Sequence, residues 1–259
     1  MTDLKNWIRT NSGKARIIMR LLMLLCVAGI VWSASTLIAN SREYAKGDAA
    51  YEQVRTMLQN AELSAGQNAP AADAGIDFEA LRKLNPDVVG WLLAEGSIID
   101  YPVVRGTDND YYLTHLFNRE KNKLGALFVD YRNGGDFSGK NTIIYGHNMK
   151  DGSMFSSLTQ YKAQGYYDNL PTMRLSTPDQ DYTVALFAGI VADGSAEFVR
   201  FEFKDDADFL SYIDTVKTSS TFKSAVEVGV DDRIVTLYTC SYEANNARYA
   251  LFGKLIPAV

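Results

Sequence analysis

"TLYTCSYEANNARYALFGKL", residues 236–255, sets two apolar stretches on either side of a polar turn, with a cysteine closing the first and an arginine opening the second. Residues 233–239 and 247–256 are rich in β-branched, aromatic and aliphatic side chains and are bounded by turn residues, which predicts two strands joined as a hairpin. Cys240 ends the first and Arg248 begins the second, eight positions on (248 − 240 = 8), so the hairpin is expected to return the guanidinium to the side of the sulfur. The chain has two cysteines, and the other, Cys26, lies in an unbroken hydrophobic segment, leaving Cys240 without an evident disulfide partner.

Working outward, similar short apolar runs occur at 88–93, 98–104, 125–129, 142–145, 172–176 and 182–191, separated by turn signals such as "NGGD" and "TPDQD". With the hairpin these make eight strands without regular strand-helix alternation, which favours a barrel or sandwich over a doubly wound parallel sheet. Two helices are predicted beside them. Residues 77–84 open on the capping acid Asp77, and 205–217 carry an acidic first turn with Phe209, Leu210, Ile213 and Val216 at helical offsets.

The chain of 259 residues has a net charge of −5 and no basic run after residue 46, which argues against a nucleic-acid partner. Its N-terminus is different in kind. Residues 21–39, "LLMLLCVAGIVWSASTLIA", are free of charge and at ~1.5 Å per residue reach roughly 28 Å, a bilayer's hydrocarbon thickness. The basic flank Lys5, Arg9, Lys14, Arg16 and Arg20, set against Asp3, predicts a cytoplasmic N-terminus of residues 1–20, with the chain beyond about residue 40 outside. The length of the apolar run favours an uncleaved anchor over a signal peptide. Bulky Leu25 and the apolar residues after Cys26 disfavour lipidation there. Residues 41–63 predict a helical stalk, 64–75 a linker of small residues, and 76–259 the extracellular catalytic domain, the stalk and linker together covering 40–75.

A cysteine nucleophile reacts as the thiolate and needs a proton carrier and a group that stabilises an oxyanion. The chain offers two histidines. His147, in "NTIIYGHNMKDGSMF", follows an apolar strand and a glycine on a turn that can reach a cleft, whereas His115, in "YYLTHLFNRE", reads as a packed or surface residue in a helical segment. Arg248, charged at any working pH and carrying a rigid fork of donors, suits an oxyanion. No acidic loop suited to calcium and no Cys/His spacing suited to zinc is present, so neither a metal nor another cofactor is expected.

"TLYTC" matches the T-L-x-T-C signature of sortases, the cysteine transpeptidases of Gram-positive cell surfaces, and 141–155 resembles their histidine-bearing segment. The resemblance continues through "NPDVVGWL", "IDYPVVRGTDNDYYLTHLFN" and "ARYALFGKL", and the long helix before the penultimate strand together with "YGHNM" resembles class B in particular. It implies a closed eight-stranded β-barrel with peripheral helices, behind a single transmembrane helix that holds the enzyme at the cell membrane. It also implies that the Cys240 thiolate attacks the threonine carbonyl of a sorting motif, N-P-x-T or L-P-x-T-G like, in a surface protein. His147 would protonate the leaving amine and Arg248 would hold the oxyanion. The acyl group would then pass to an amine of a lipid-linked peptidoglycan precursor. The same resemblance sets Asn109 and Leu113 at the border of the sorting-motif groove and Tyr145 and Thr239 beside the catalytic pair as substrate-side residues, with Phe198 and Val199 as further groove residues. Tyr238 departs from the serine frequent at its position in class B. A pilin-polymerising sortase shares the acyl-enzyme half of this reaction, and an ordinary cysteine protease would discharge the same intermediate to water. An inactive membrane-anchored binding module is disfavoured by the joint presence of His147, Cys240 and Arg248.

Overall fold

The computed structural model describes residues 12–65, 76–192, 199–240 and 248–258, without the side chains of 12, 15, 60–65 and 240. The chain divides into two compact units, Met1–Lys46 and Gly47–Val259. The first contains the N-terminal part of α1 (Ser12–Ala65), in which Leu21, Leu22, Leu24, Leu25, Ile30 and Trp32 are exposed. This helix is long and apolar enough to cross a membrane.

The second unit is built on eight strands, β1 (Val88–Leu93), β2 (Asp100–Val104), β3 (Leu127–Val129), β4 (Asn141–Tyr145), β5 (Thr172–Ser176), β6 (Asp181–Ala192), β7 (Ile234–Cys240) and β8 (Arg248–Pro257). They close into a barrel in the order β1-β2-β3-β4-β7-β8-β6-β5. Two joints are parallel, β2 with β3 and β4 with β7, and the others are antiparallel. Of the two open alternatives, barrel and sandwich, the chain adopts the barrel.

The composition of β4 and β7 explains their central place. "NTIIY" and "IVTLYTC" are apolar on both faces, as a strand needs when one face fills the barrel and the other is covered. The cover over β4 and β7 is α4 (Asp206–Thr218), whose buried stripe Phe209, Tyr212, Ile213 and Val216 packs with Ile143, Ile234, Tyr238 and Phe252. Burying each of the larger apolar side chains contributes about 2 kcal/mol. Asp205 caps the helix by accepting from the Asp208 amide at 2.9 Å, and Asp77 caps α2 (Phe78–Leu84) the same way through Ala80.

Several boundaries differ from the sequence reading. The run 125–129 starts as a strand only at Leu127, because Gly125 takes a left-handed φ of 61° that no extended strand contains. A 3-10 turn at Tyr111–Leu113 precedes His115, which lies in an isolated bridge to Lys121 and not in a helix. Ser156–Lys162 and α3 (Gln164–Asn169) form short helices in a stretch to which the pattern assigned nothing. Part of the expected stalk also packs on the barrel: in the unit that begins at Gly47, Tyr51, Val54 and Leu58 of α1 are buried.

Candidate active site

The parallel joint between β4 and β7 brings two distant segments to one rim. Ile144 pairs with Leu237 and Tyr145 with Tyr238, and the Gly146 amide then donates to the Tyr238 carbonyl at 3.2 Å. The ladder ends there: His147 follows two residues past Tyr145, beyond the end of β4, while β7 continues to Cys240. On the other side of β7, the antiparallel ladder pairs Cys240 with Arg248. The three residues singled out in the sequence therefore stand at one end of the row of strands β4, β7 and β8, with Cys240 and Arg248 in paired strands and His147 just past the end of β4.

Beside this row opens a cleft of about 270 Å³, lined by Asn109, Leu113, Phe128, Tyr145, Gly146, His147, Tyr238, Thr239 and Arg248. Its floor is aromatic. Tyr145 meets Tyr238 edge-on at 5.8 Å between centroids and Phe128 at 5.3 Å. The Thr239 hydroxyl is buried without a hydrogen-bond partner among the described residues.

His147 is oriented by backbone. Its Nε2 lies 2.7 Å from the Leu113 carbonyl oxygen, which can only accept, so Nε2 carries the proton and Nδ1 is the basic nitrogen of the neutral ring. Two glycines make this arrangement possible. A Cβ at Gly146 would lie 2.5 Å from both the Leu127 Cδ2 and Phe155 Cδ2 atoms, so only glycine lets the chain leave β4 at this angle. A Cβ at Gly125 would lie 2.6 Å from the Tyr112 carbonyl, 2.9 Å from the Leu113 carbonyl and 3.1 Å from His147 Cδ2.

The turn that supplies Leu113 is tied down in turn. Tyr112 is buried and donates to Asp87 at 2.6 Å, while receiving a bond from Asn85 at 2.8 Å; burial, with the carboxylate of Asp87 beside it, pushes its phenol up to about 12. Asn109 accepts from the Tyr131 amide at 3.0 Å. Under the cleft, the Tyr145 hydroxyl donates at 2.9 Å to the buried carboxylate of Asp130, which also receives Arg132 through Nε at 2.8 Å and through the second nitrogen at 2.7 Å. Burial alone would raise the Asp130 carboxyl, but the bonds from Arg132 and Tyr145 outweigh it and hold the group below its ordinary value.

No protein-family model matches the chain. Sortase B of Listeria monocytogenes is 43% identical over 182 residues, covering 70% of this chain and 74% of that protein. The chain belongs to the sortase B family. Sortase B of Staphylococcus aureus is 34% identical over 181 residues, covering 69% of this chain and 74% of that protein. The solved complex of Staphylococcus aureus sortase B with substrate superposes with a TM-score of 0.75 at 31% identity, over 84% of this chain and all (100%) of that one. A crystal structure of Staphylococcus aureus sortase B gives 0.72 at 30% identity, over 80% of this chain and 99% of that one. The chain is accordingly a sortase, a cysteine transpeptidase.

In this sortase the cleft gathers most of the residues expected at the groove: Asn109, Leu113, Tyr145 and Thr239 line it together with His147 and Arg248. Val199 is instead half-buried against the cluster under α4, and Phe198 lies outside the described residues. His115 stacks on Tyr111 at 4.0 Å and bonds its carbonyl through Nδ1 at 2.8 Å. Among the described residues no group of His, Cys, Asp and Glu side chains is placed to hold a metal ion. Sequence reading missed Phe128 and Gly125, and used Gly146 only to mark the turn before His147; their contributions are shape and backbone freedom, and the left-handed turn at Gly125 had no signal beyond the glycine itself.

Proposed function

We propose that Cys240 is the nucleophile, His147 the proton carrier and Arg248 the oxyanion group of a transpeptidation on sorting motifs. The observation that supports this reading is the strand arrangement, in which Cys240 pairs with Arg248 and His147 follows the end of β4, the strand that pairs with β7. The Cys240 thiolate adds to the carbonyl carbon of the motif threonine, and the guanidinium of Arg248 balances the negative charge that develops on the carbonyl oxygen. The C–N bond then breaks as the His147 imidazolium, which carries at Nδ1 the proton given up by the Cys240 thiol, passes that proton to the departing amine, leaving a thioester. An incoming amine attacks the thioester, His147 takes its proton, a new amide forms and the thiolate is released.

The motif is of the N-P-x-T or L-P-x-T-G kind, carried by surface proteins, and the acceptor is an amine of a lipid-linked peptidoglycan precursor. Asn109, Leu113, Tyr145 and Thr239 border the bound peptide, consistent with their place on the cleft wall. At about 270 Å³ the cleft is small even for a pocket of ~300 to 1,000 Å³, which suits enclosure of the residues next to the scissile bond and an open path for the rest of the chain. The apolar segment of α1 holds the enzyme in the cell membrane with residues 1–20 cytoplasmic and the catalytic domain extracellular. Enzyme, protein substrate and lipid-linked acceptor then share one surface, which raises their effective concentration and favours aminolysis over hydrolysis.

Partition of products tests the reading. The full chain in detergent, given quenched peptides spanning N-P-x-T-x and L-P-x-T-x, is expected to cleave after threonine and to yield the triglycine adduct when triglycine is present. Free acid alone in abundant triglycine would make the protein a protease, and no cleavage of any peptide by folded, reduced protein would make it a binding module.

A further inference from the structure

Residues 47–58 of α1 are built into the shell around His147. Tyr51, 1% exposed, donates its hydroxyl to the Gly125 carbonyl at 2.6 Å. Its ring sits between Tyr101, edge-on at 5.0 Å, and Phe117 at 5.5 Å. One turn on, Arg55 Nε donates to the Asp100 carbonyl at 2.9 Å and lies 3.3 Å from its carboxylate. At the start of the segment, Gly47 approaches the barrel so closely that a Cβ would sit 2.7 Å from Leu124 Cδ2.

Gly125 is the junction between this helix and the catalytic rim. Its carbonyl takes the Tyr51 bond, while its Cα faces the Leu113 carbonyl and the edge of His147. The Leu113 carbonyl is in turn the acceptor that selects the Nε2-protonated ring of His147. The neighbouring Ala126 amide donates to the Tyr112 carbonyl at 3.0 Å, so a shift at 125 is passed directly to the 112–113 turn.

We propose that Tyr51 is a positioning residue for the transpeptidation: by fixing the Gly125 carbonyl it holds the Leu113 carbonyl under His147 and so sets the tautomer and reach of the imidazole. This deepens the reading of His147 as the proton carrier and rests on it. Gly125 has no side chain of its own to anchor a left-handed turn, and its buried carbonyl loses its donor if the Tyr51 hydroxyl is removed. A displacement of the order of 1 Å at a catalytic group costs up to ~100-fold in rate, so a small relaxation there has a large kinetic effect.

The test compares Tyr51→Phe, which keeps the packed ring and removes the hydroxyl, with Leu58→Ala, which loosens the same helix seven residues on and leaves the hydrogen bond to Gly125 in place. The full chain in detergent serves for all measurements. With two histidines in the chain, a His115→Gln background leaves one imidazole for nitrogen-15 spectroscopy. Tyr51→Phe is expected to lower kcat about tenfold with KM within about twofold. Its neutral His147 is expected to change from the single Nε2-protonated form to a tautomer mixture. Leu58→Ala is expected to lower the melting temperature at least as much and to leave both the tautomer and kcat near wild type. A wild-type tautomer signal in Tyr51→Phe overturns the proposal whatever the rate does, and so does an equal tautomer change in Leu58→Ala. Full activity of His147→Ala would sink the functional reading separately, since the spectroscopic signal needs no turnover.

Discussion

Replacing a single side chain at the barrel rim separates the three proposed roles. His147→Ala removes the proton carrier and is expected to lower kcat by about 10² to 10⁴, while peptide binding in the aromatic cleft persists. Arg248→Lys keeps the charge but loses the planar fork, and a drop of about 10² to 10³ in kcat with little change in KM is the expected result. Steady-state kinetics with a fixed peptide reads both, and near-wild-type kcat in either variant removes that residue from its role. Cys240 and His147 stood out in the sequence because the chain has two residues of each type, and Arg248 because it opens the strand that returns beside Cys240. What could not be read was the contact that orients them. The acceptor for His147 is the Leu113 carbonyl, and backbone carbonyls are present at every position of a sequence. Below the cleft, Asp130 carries a testable pH dependence. Its carboxyl is held below the ordinary unfolded value of ~3.9 by Arg132 and Tyr145, so it contributes stability above about pH 4 that is lost as pH falls through its folded value. Asp130→Asn is expected to cost about 2 kcal/mol at pH 7. In thermal melts, the gap between variant and wild type should narrow between pH 6 and pH 3; a gap independent of pH contradicts this account.

Among the elements, β7 and β8 are the clearest case of local legibility: a two-strand pattern around a turn predicts an antiparallel pair, and the ladder runs from Ile234 with Lys254 to Cys240 with Arg248. The pairing of β4 with β7 is the opposite case. Nothing near residues 141–145 announces a parallel partner some ninety residues later, because both strands are simply apolar on both faces, and only barrel closure selects the neighbour. The helix α1 shows a third kind of reading. Gly47, Tyr51, Val54 and Leu58 recur at offsets of four, three and four, a core-facing stripe hidden by the polar residues of an apparent stalk. The structure buries that stripe against the barrel unit, so Leu58→Ala is expected to destabilise the protein by about 3 kcal/mol. In a unit of this size that corresponds to a fall of about 6 to 12 °C in melting temperature. A melting temperature unchanged within 2 °C would show that this turn of α1 adds nothing to the fold.

For the whole molecule, composition and charge place the apolar segment and the proposed topology, and the barrel with its family membership places the chemistry. Labelling in intact cells tests the topology. In a Cys26→Ser, Cys240→Ala background, Asp214→Cys on the exposed side of α4 is expected to react with a membrane-impermeant maleimide, and Thr10→Cys only after permeabilisation; the reverse pattern inverts the anchor. Strand count and the absence of strand-helix alternation narrowed the fold to a barrel or a sandwich; closure was implied by the sortase resemblance, and the continuous ladder around all eight strands shows it. On the proposed reading, Cys240 at the barrel rim is the acyl carrier. Intact-protein mass spectrometry after incubation with a cleavable sorting peptide, followed by peptide mapping, tests it most directly. The expected product is a thioester of the peptide's N-terminal fragment, ending in threonine, on Cys240, discharged by triglycine and absent from Cys240→Ala. An adduct on another residue, or continued cleavage after threonine by Cys240→Ala, would contradict it.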